Sequence, residues 1–233
     1  MARTANPSIR GFKSRPRLHT MQQLIKIIAQ IQKFVLQHRA QITLLFVIAE
    51  WSILALVVLA VLVYKSGNGL SLIFLDEAGK KFGTLGFILY VFTLLPSLIR
   101  RLKLTTIQPI GTTLMVFRRH LGILMFLSIY THQFFTTTLI ALVIAKFNFA
   151  NFAPNLLIHH IVGYIALGIL FPLWLTSNDF SVKKMGKWWK VLHRFTYLAM
   201  FFIMIHVALV GEPLYAITLG MIAVLEIIAR FRK

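Results

Sequence analysis

Six runs of apolar residues dominate this chain, near 42–64, 83–100, 119–145, 158–176, 190–210 and 213–229. Each is long enough to cross roughly 30 Å of hydrocarbon once some tilt is allowed. With 58% hydrophobic residues and a mean hydropathy of +0.78, the chain lies far from the soluble range. It reads as an all-α integral membrane protein with one six-helix membrane domain. The 233 residues include no cysteine, which excludes disulfides, thiolate-held iron–sulfur clusters and covalent c-type haem attachment.

A formal charge of +19 raises the question of a nucleic-acid partner, but the placement of the charges answers it differently. Of 25 Lys and Arg, 21 fall on one side of the six runs: eight before the first, five in 100–119, five in 183–194 and three at the carboxyl end. The other side holds Lys65, Lys80, Lys81 and Lys146. Basic loops remain cytoplasmic. Both termini are therefore expected in the cytoplasm, with membrane lipid and no nucleic acid as the surroundings.

Residues 1–20 are basic, polar and turn-rich, and lack the apolar run of a signal peptide. Over 21–38, Leu24, Ile27, Ile28, Ile31 and Val35 follow helical spacing, with Lys26 and Lys33 placed elsewhere. Such a helix suits the anionic inner leaflet. The expected organisation is a basic cytoplasmic extension with an amphipathic helix over 1–41, the six-helix unit over 42–229, and a cytoplasmic tail over 230–233.

The histidines carry the chemistry. In GKWWKVLHRFTYLAMFFIMIH, residues 186–206, a basic Trp-containing loop runs into an apolar helix bearing His193 and His206. An imidazole at membrane depth loses its hydration and needs a partner. His206 lies 16 residues past Lys190, roughly 24 Å from the basic edge. His132 lies 13 residues past Arg119, about 20 Å in on the third run, which crosses in the same direction. Side by side, His132 and His206 would grip one iron from opposite faces, the usual ligation of a b-type haem.

The inner site has more than one reading. His193 sits near the basic edge, where the third run offers Arg118, Arg119 and His120. His120 is either a partner for His193 or an ordinary interfacial histidine. Arg118 and Arg119 are either haem-propionate ligands or positive-inside anchors. Thirteen residues at about 100° each do not return to one helical face. His193 and His206 share a face only if their helix is distorted. His159 and His160 open the fourth run on the outer side. Glu50 is a proton carrier, a quinone contact or a neutral packed carboxyl, and Glu226 is placed to pair with Arg230 at i,i+4.

Three blocks, RRHLGILMF…YTH at 118–132, VGYIALGILFPLWLTS at 162–177 and MGKWWKVLHRFTYL…IH at 185–206, resemble the ferric-reductase-like transmembrane family, which also contains NADPH oxidases. A weaker block is FGTLGFILYVFTLLPSLIRR at 82–101. Within the family the likeness is to haem-binding membrane subunits of bacterial periplasmic protein-methionine-sulfoxide reductases. The resemblance implies that His132, His193 and His206 are the metal-related histidines, with His132 and His206 as the outer pair. It implies one or two b-type haems, with FMN or quinone as further cofactors. It also implies electron flow from a cytoplasmic flavin reductase or quinol to a periplasmic molybdopterin oxidoreductase, across the bacterial inner membrane. The amino-terminal extension and His159-His160 depart from the family pattern. The carboxyl end leaves no room for a glycine-rich dinucleotide fingerprint, so the donor is expected to be a separate protein or carrier. Two alternatives accompany this reading: a ferric reductase for extracytoplasmic iron, and a non-redox transporter or assembly factor with structural histidines.

Overall fold

The computed structural model describes residues 16–69 and 71–231, with side chains from residue 22 onward. The basic tail before Pro16 and the last two residues of the carboxyl tail lie outside the described residues. In a bilayer core, backbone N–H and C=O groups have no water to bond, so a spanning chain closes its hydrogen bonds within helices. The described chain does so in ten helices: α1 (Pro16–Gln37), α2 (Arg39–Lys65), α3 (Leu72–Arg101), α4 (Gln108–Gln133), α5 (Leu139–Ile144), α6 (Ile158–Leu175), α7 (Asp179–Met185), α8 (Lys187–Leu192), α9 (Thr196–Val210) and α10 (Pro213–Phe231).

Six stretches are long and apolar enough to cross a membrane: α2, α3, residues 105–144, α6, residues 187–210 and α10. The six expected runs are all present, and α1 precedes them as the amphipathic helix. Two spans begin earlier than hydropathy indicates. The second starts at Leu72, where the Ser71 side chain accepts a hydrogen bond from Phe74 N at 3.2 Å. Its polar first turns are helical because their charges pair, Lys80 with Asp76 at 2.6 Å. The third starts at Thr105 and carries Pro109 in the first turn of α4, where the missing N–H costs nothing.

Two spans are irregular inside the membrane. A π-type turn at Phe134–Thr138 joins α4 to α5 directly after His132 and Gln133. Such turns recur at functional sites. A 3₁₀ turn at His193–Phe195 separates α8 from α9. This is the distortion that two histidines thirteen residues apart need in order to serve one side of a helix.

The core lies where α3, α4, α6, α9 and α10 meet, around Tyr90, Phe126, Leu170, Ala199 and Leu219. Helices in lipid gain little from apolar burial alone, so close backbone approach matters more. Glycines on α3 permit it: a Cβ on Gly86 would lie 2.6 Å from Ile129 Cγ1, and one on Gly79 2.7 Å from Thr136 Cγ2. By contrast α2 contributes no buried residue and stands at the periphery.

Glu226 corrects one expectation. It does not pair with Arg230 along α10. Positions 219, 222, 226 and 229 form the buried face of α10, so the carboxylate points into the bundle. There it takes hydrogen bonds from Arg101 at 2.6 Å and from the Tyr197 hydroxyl at 3.3 Å. Arg230 instead lies over the Tyr197 ring, 5.7 Å from its centre. Removing one partner of a buried pair strands the other. Glu226→Leu should therefore destabilise the fold by about 1–3 kcal/mol, discounted because Arg101 is partly exposed. Arg101→Met/Glu226→Leu together should restore most of the loss. Thermal unfolding in detergent of the two singles and the double measures both.

Candidate functional site

Two clefts open between α3, α4, α6 and the α8–α9 span. The outer one, of about 400 Å³, is lined by His132, His206, Gly83, Gly163, Tyr90 and Gln133 among others. His132 Nδ1 is 2.9 Å from the Gly79 carbonyl oxygen, and His206 Nδ1 is 2.7 Å from that of His159. A carbonyl only accepts, so each Nδ1 carries the proton and donates it. Each Nε2 is then left as a lone-pair donor to whatever lies in the cleft. Orientation of one ring nitrogen by a backbone carbonyl is the usual support for a metal-binding histidine.

The rings sit on glycines. A Cβ on Gly83 would lie 2.9 Å from His132 Nδ1, and one on Gly163 3.0 Å from His206 Nδ1. Thus α4 seats its histidine on a bare patch of α3, and α9 seats its own on a bare patch of α6. The ring centres are 6.2 Å apart with planes at 75°. A metal–imidazole bond of about 2 Å on each side, plus about 1.1 Å from each nitrogen to its ring centre, calls for centres roughly 6 Å apart. Among the described residues no three His, Cys, Asp or Glu converge as a metal site. A lone pair of imidazoles suits an iron already held in a macrocycle, and a bare ion poorly.

The inner cleft, of about 250 Å³, is lined by Arg118, Arg119, Phe126, Trp174, Trp189 and His193 among others. His193 stacks on Trp189 with ring centres 4.0 Å apart, and its Nε2 lies 3.3 Å from Thr176 Oγ1. The two arginines differ. Arg119 donates to Asp179, including a bond from Nη1 at 3.1 Å. The Arg119 guanidinium holds the exposed Asp179 carboxyl below the usual carboxylate range. Arg118 is half-buried and is left facing the cleft. Between the clefts, the fully buried Tyr90 donates its hydroxyl proton to the Thr196 carbonyl at 2.5 Å, tying α3 to the first turn of α9.

The structure does not bring His120 to His193. Two residues past Arg118, it points about 200° away around α4. Its Nδ1 is 2.9 Å from Glu50 Oε1 on α2, and its ring stacks on Phe46. The His159 and His160 rings lie 4.1 Å apart at the outer end of α6, and the His159 ring is 6.1 Å from that of His206. His159 serves through its carbonyl, and His160 Nδ1 accepts from Leu157 N at 3.1 Å, capping α6. Sequence reasoning missed Tyr90, Gly83, Gly163 and the Arg119–Asp179 pair. The recurrence of glycine at 79, 83 and 86, at and just before the second apolar run, was a legible sign that something lies close against α3.

The family model described as ferric reductase like transmembrane component matches residues 82–204. The chain is 35% identical over 106 residues to the protein-methionine-sulfoxide reductase heme-binding subunits MsrQ of Brucella ovis and Brucella canis, covering 44% of this chain and 46% of theirs. The Brucella melitensis MsrQ is 35% identical over 92 residues, covering 39% and 40%. The match thus spans about half the length of these curated relatives. No solved structure matches.

Asp179 gives a direct test of the inner cleft. Its folded pKa is depressed, so the Arg119 pair is intact above the ordinary carboxylate range and is lost as pH falls through the lowered value. The pair is exposed and contributes little to global stability. Asp179→Asn should leave the melting temperature unchanged but speed trypsin cleavage at Lys183 and Lys184 severalfold, by freeing the α7 segment locally.

Proposed function

The chain belongs to the ferric-reductase-like transmembrane family, and on that footing we propose that it is a b-type cytochrome subunit carrying electrons across a bacterial inner membrane. The observation that carries the reading is the His132–His206 pair, with both Nδ1 protons given to carbonyls and ring centres 6.2 Å apart. His132 and His206 would hold the haem. A haem with two imidazole ligands passes single electrons and leaves no open position for substrate. The carbonyls of Gly79 and His159 fix the ring tautomers and raise their basicity. Tyr90, Ala166 and Ile203 keep the inner wall of the cleft apolar or internally bonded.

The inner cleft offers one imidazole where the outer offers two. His193 with Arg118, and with Arg119 beyond it, suits a second haem or the phosphate of FMN, with Trp174 and Trp189 as aromatic walls. The Glu50–His120 pair lies part-buried between α2 and α4, apart from both clefts. It would accept protons from a quinol arriving through the membrane. The donor is therefore a cytoplasmic flavin reductase at the inner cleft or a quinol at Glu50–His120. The acceptor is a periplasmic molybdopterin oxidoreductase of the methionine-sulfoxide-reductase type, reached through the weakly charged loops 147–157 and 211–213. Both termini lie in the cytoplasm in this arrangement.

The purified protein is expected to show low-spin b-type bands that sharpen on dithionite reduction. A colourless protein from haem-replete cells would support the non-redox transporter or assembly factor. His132→Ala, His206→Ala and Gly163→Val should each remove the same haem, by lost ligation or by displacing His206. Haem-to-protein ratios in the singles and the His132→Ala/His206→Ala double should coincide. Losses that add would break the pairing.

The donor is distinguished by salt. An acidic or phosphate-bearing donor on the basic face feels long-range attraction, screened beyond about 8 Å at physiological ionic strength. Haem reduction by a flavin reductase should slow severalfold as salt rises in stopped-flow traces. Reduction by a quinol should ignore salt and fall at least tenfold in Glu50→Gln. Fast reduction of external ferric chelates without a periplasmic partner would favour the ferric-reductase alternative.

A further inference from the structure

The first helix lies outside the stretch that the family model matches, and its surface is unlike that of the spans. Residues 1–49 hold eight Lys and Arg, namely Arg3, Arg10, Lys13, Arg15, Arg17, Lys26, Lys33 and Arg39, and no acidic residue before Glu50. The helix α1 is not among the stretches apolar enough to span. It nevertheless carries an exposed apolar ridge: Leu24 at 49% exposure, Ile27 at 52%, Ile31 at 57% and Phe34 at 60%. Their spacing of i, i+3, i+7 and i+10 places them in one line along the helix. Lys26 and Lys33, seven residues apart, lie about 130° around the helix from that line and are exposed. A third face, with Ile28, Gln32 and Val35, is less exposed, and α1 packs against the 105–107 turn and α4.

The position of α1 is restricted. Only His38 separates it from α2: α1 ends on the bond from His38 N to Phe34 O at 3.1 Å, and α2 begins on that from Ile42 N to His38 O at 3.0 Å. The ridge therefore stays where the first span enters the bilayer. An apolar line flanked by cations at that depth is built for acyl chains on one side and phosphates on the other. Charge of a single sign over 49 residues matches an anionic lipid surface, whose headgroups repeat everywhere along it. We propose that α1 is a docking surface for anionic phospholipid headgroups, with Lys26 and Lys33 toward the headgroups and the Leu24–Ile27–Ile31–Phe34 ridge set into the acyl layer. This rests on no part of the cytochrome reading.

The absence of cysteine makes a single-site probe clean. Ile31→Cys, labelled with an environment-sensitive fluorophore in the full chain, is placed in nanodiscs of phosphatidylcholine alone or mixed with phosphatidylglycerol. Iodide quenching should be about fivefold weaker with phosphatidylglycerol and should return towards the neutral-lipid value at high salt. Lys26→Gln/Lys33→Gln should lose most of the difference. A Gln30→Cys label on the polar face should stay open to iodide in both discs. Equal quenching at Ile31→Cys in the two discs would overturn the proposal. So would protection that ignores both lipid and salt, which would assign the ridge to a protein neighbour. The unmodified chain gives an independent reading. Trypsin cleavage at Lys26 and Lys33, relative to Lys183, should slow severalfold with phosphatidylglycerol, and an unchanged ratio would also overturn it.

Discussion

Two backbone carbonyls, those of Gly79 and His159, govern the site. By taking the Nδ1 protons of His132 and His206 they fix which nitrogen of each ring is left to bind. An imidazole at membrane depth has no water to bond, so without those carbonyls both its rotamer and its tautomer would be free. The carbonyls are in place because neighbouring backbones come unusually close. Gly79 and Gly83 admit α4 to α3, and Gly163 admits the His206 ring to α6. The irregularities serve the same end. The 3₁₀ turn at 193–195 resets α9 after α8, and the π-type turn follows His132 directly.

How much of this the sequence disclosed depends on which property carried the information. Depth follows from residue count, so His132 and His206 could be paired by distance from the basic edge. The broken fifth span was foreseeable for the same reason: thirteen residues cannot return to one face of a regular helix. Direction around a helix was harder, because it depends on which neighbour lies where. His120 follows Arg119 by one residue yet turns to Glu50 on α2, and nothing in the local string says that α2 stands there. Glu226 shows the limit most clearly. Its spacing to Arg230 is right for a surface pair, but burial of that face of α10 sends it to Arg101, 125 residues away.

The same distinction separates Arg118 from Arg119. Adjacent residues on a helix point about 100° apart. Both line the inner cleft, but Arg119 is tied to the exposed Asp179, while Arg118 is half-buried and takes no part in that pair. A count of positive charges treats them alike, as anchors on the basic face. Their environments differ in the way that matters for binding: an exposed pair is screened, whereas a half-buried guanidinium lacking that carboxylate keeps its full attraction for an anion.

The two clefts are stacked along one set of helices, and the layer between them is tightly filled. Tyr90 and Leu170 are essentially inaccessible, and Met125 and Ile203 nearly so. In this layer the Tyr90 hydroxyl is committed to the Thr196 carbonyl, and the Thr93 hydroxyl to the Tyr90 carbonyl. Polar groups bonded to one another in this way leave a water fewer of the two or more polar partners it needs to stay. A bundle filled in this way resists the passage of water and ions between the clefts, and the broken fifth span, which brings Thr196 to Tyr90, is part of how it does so.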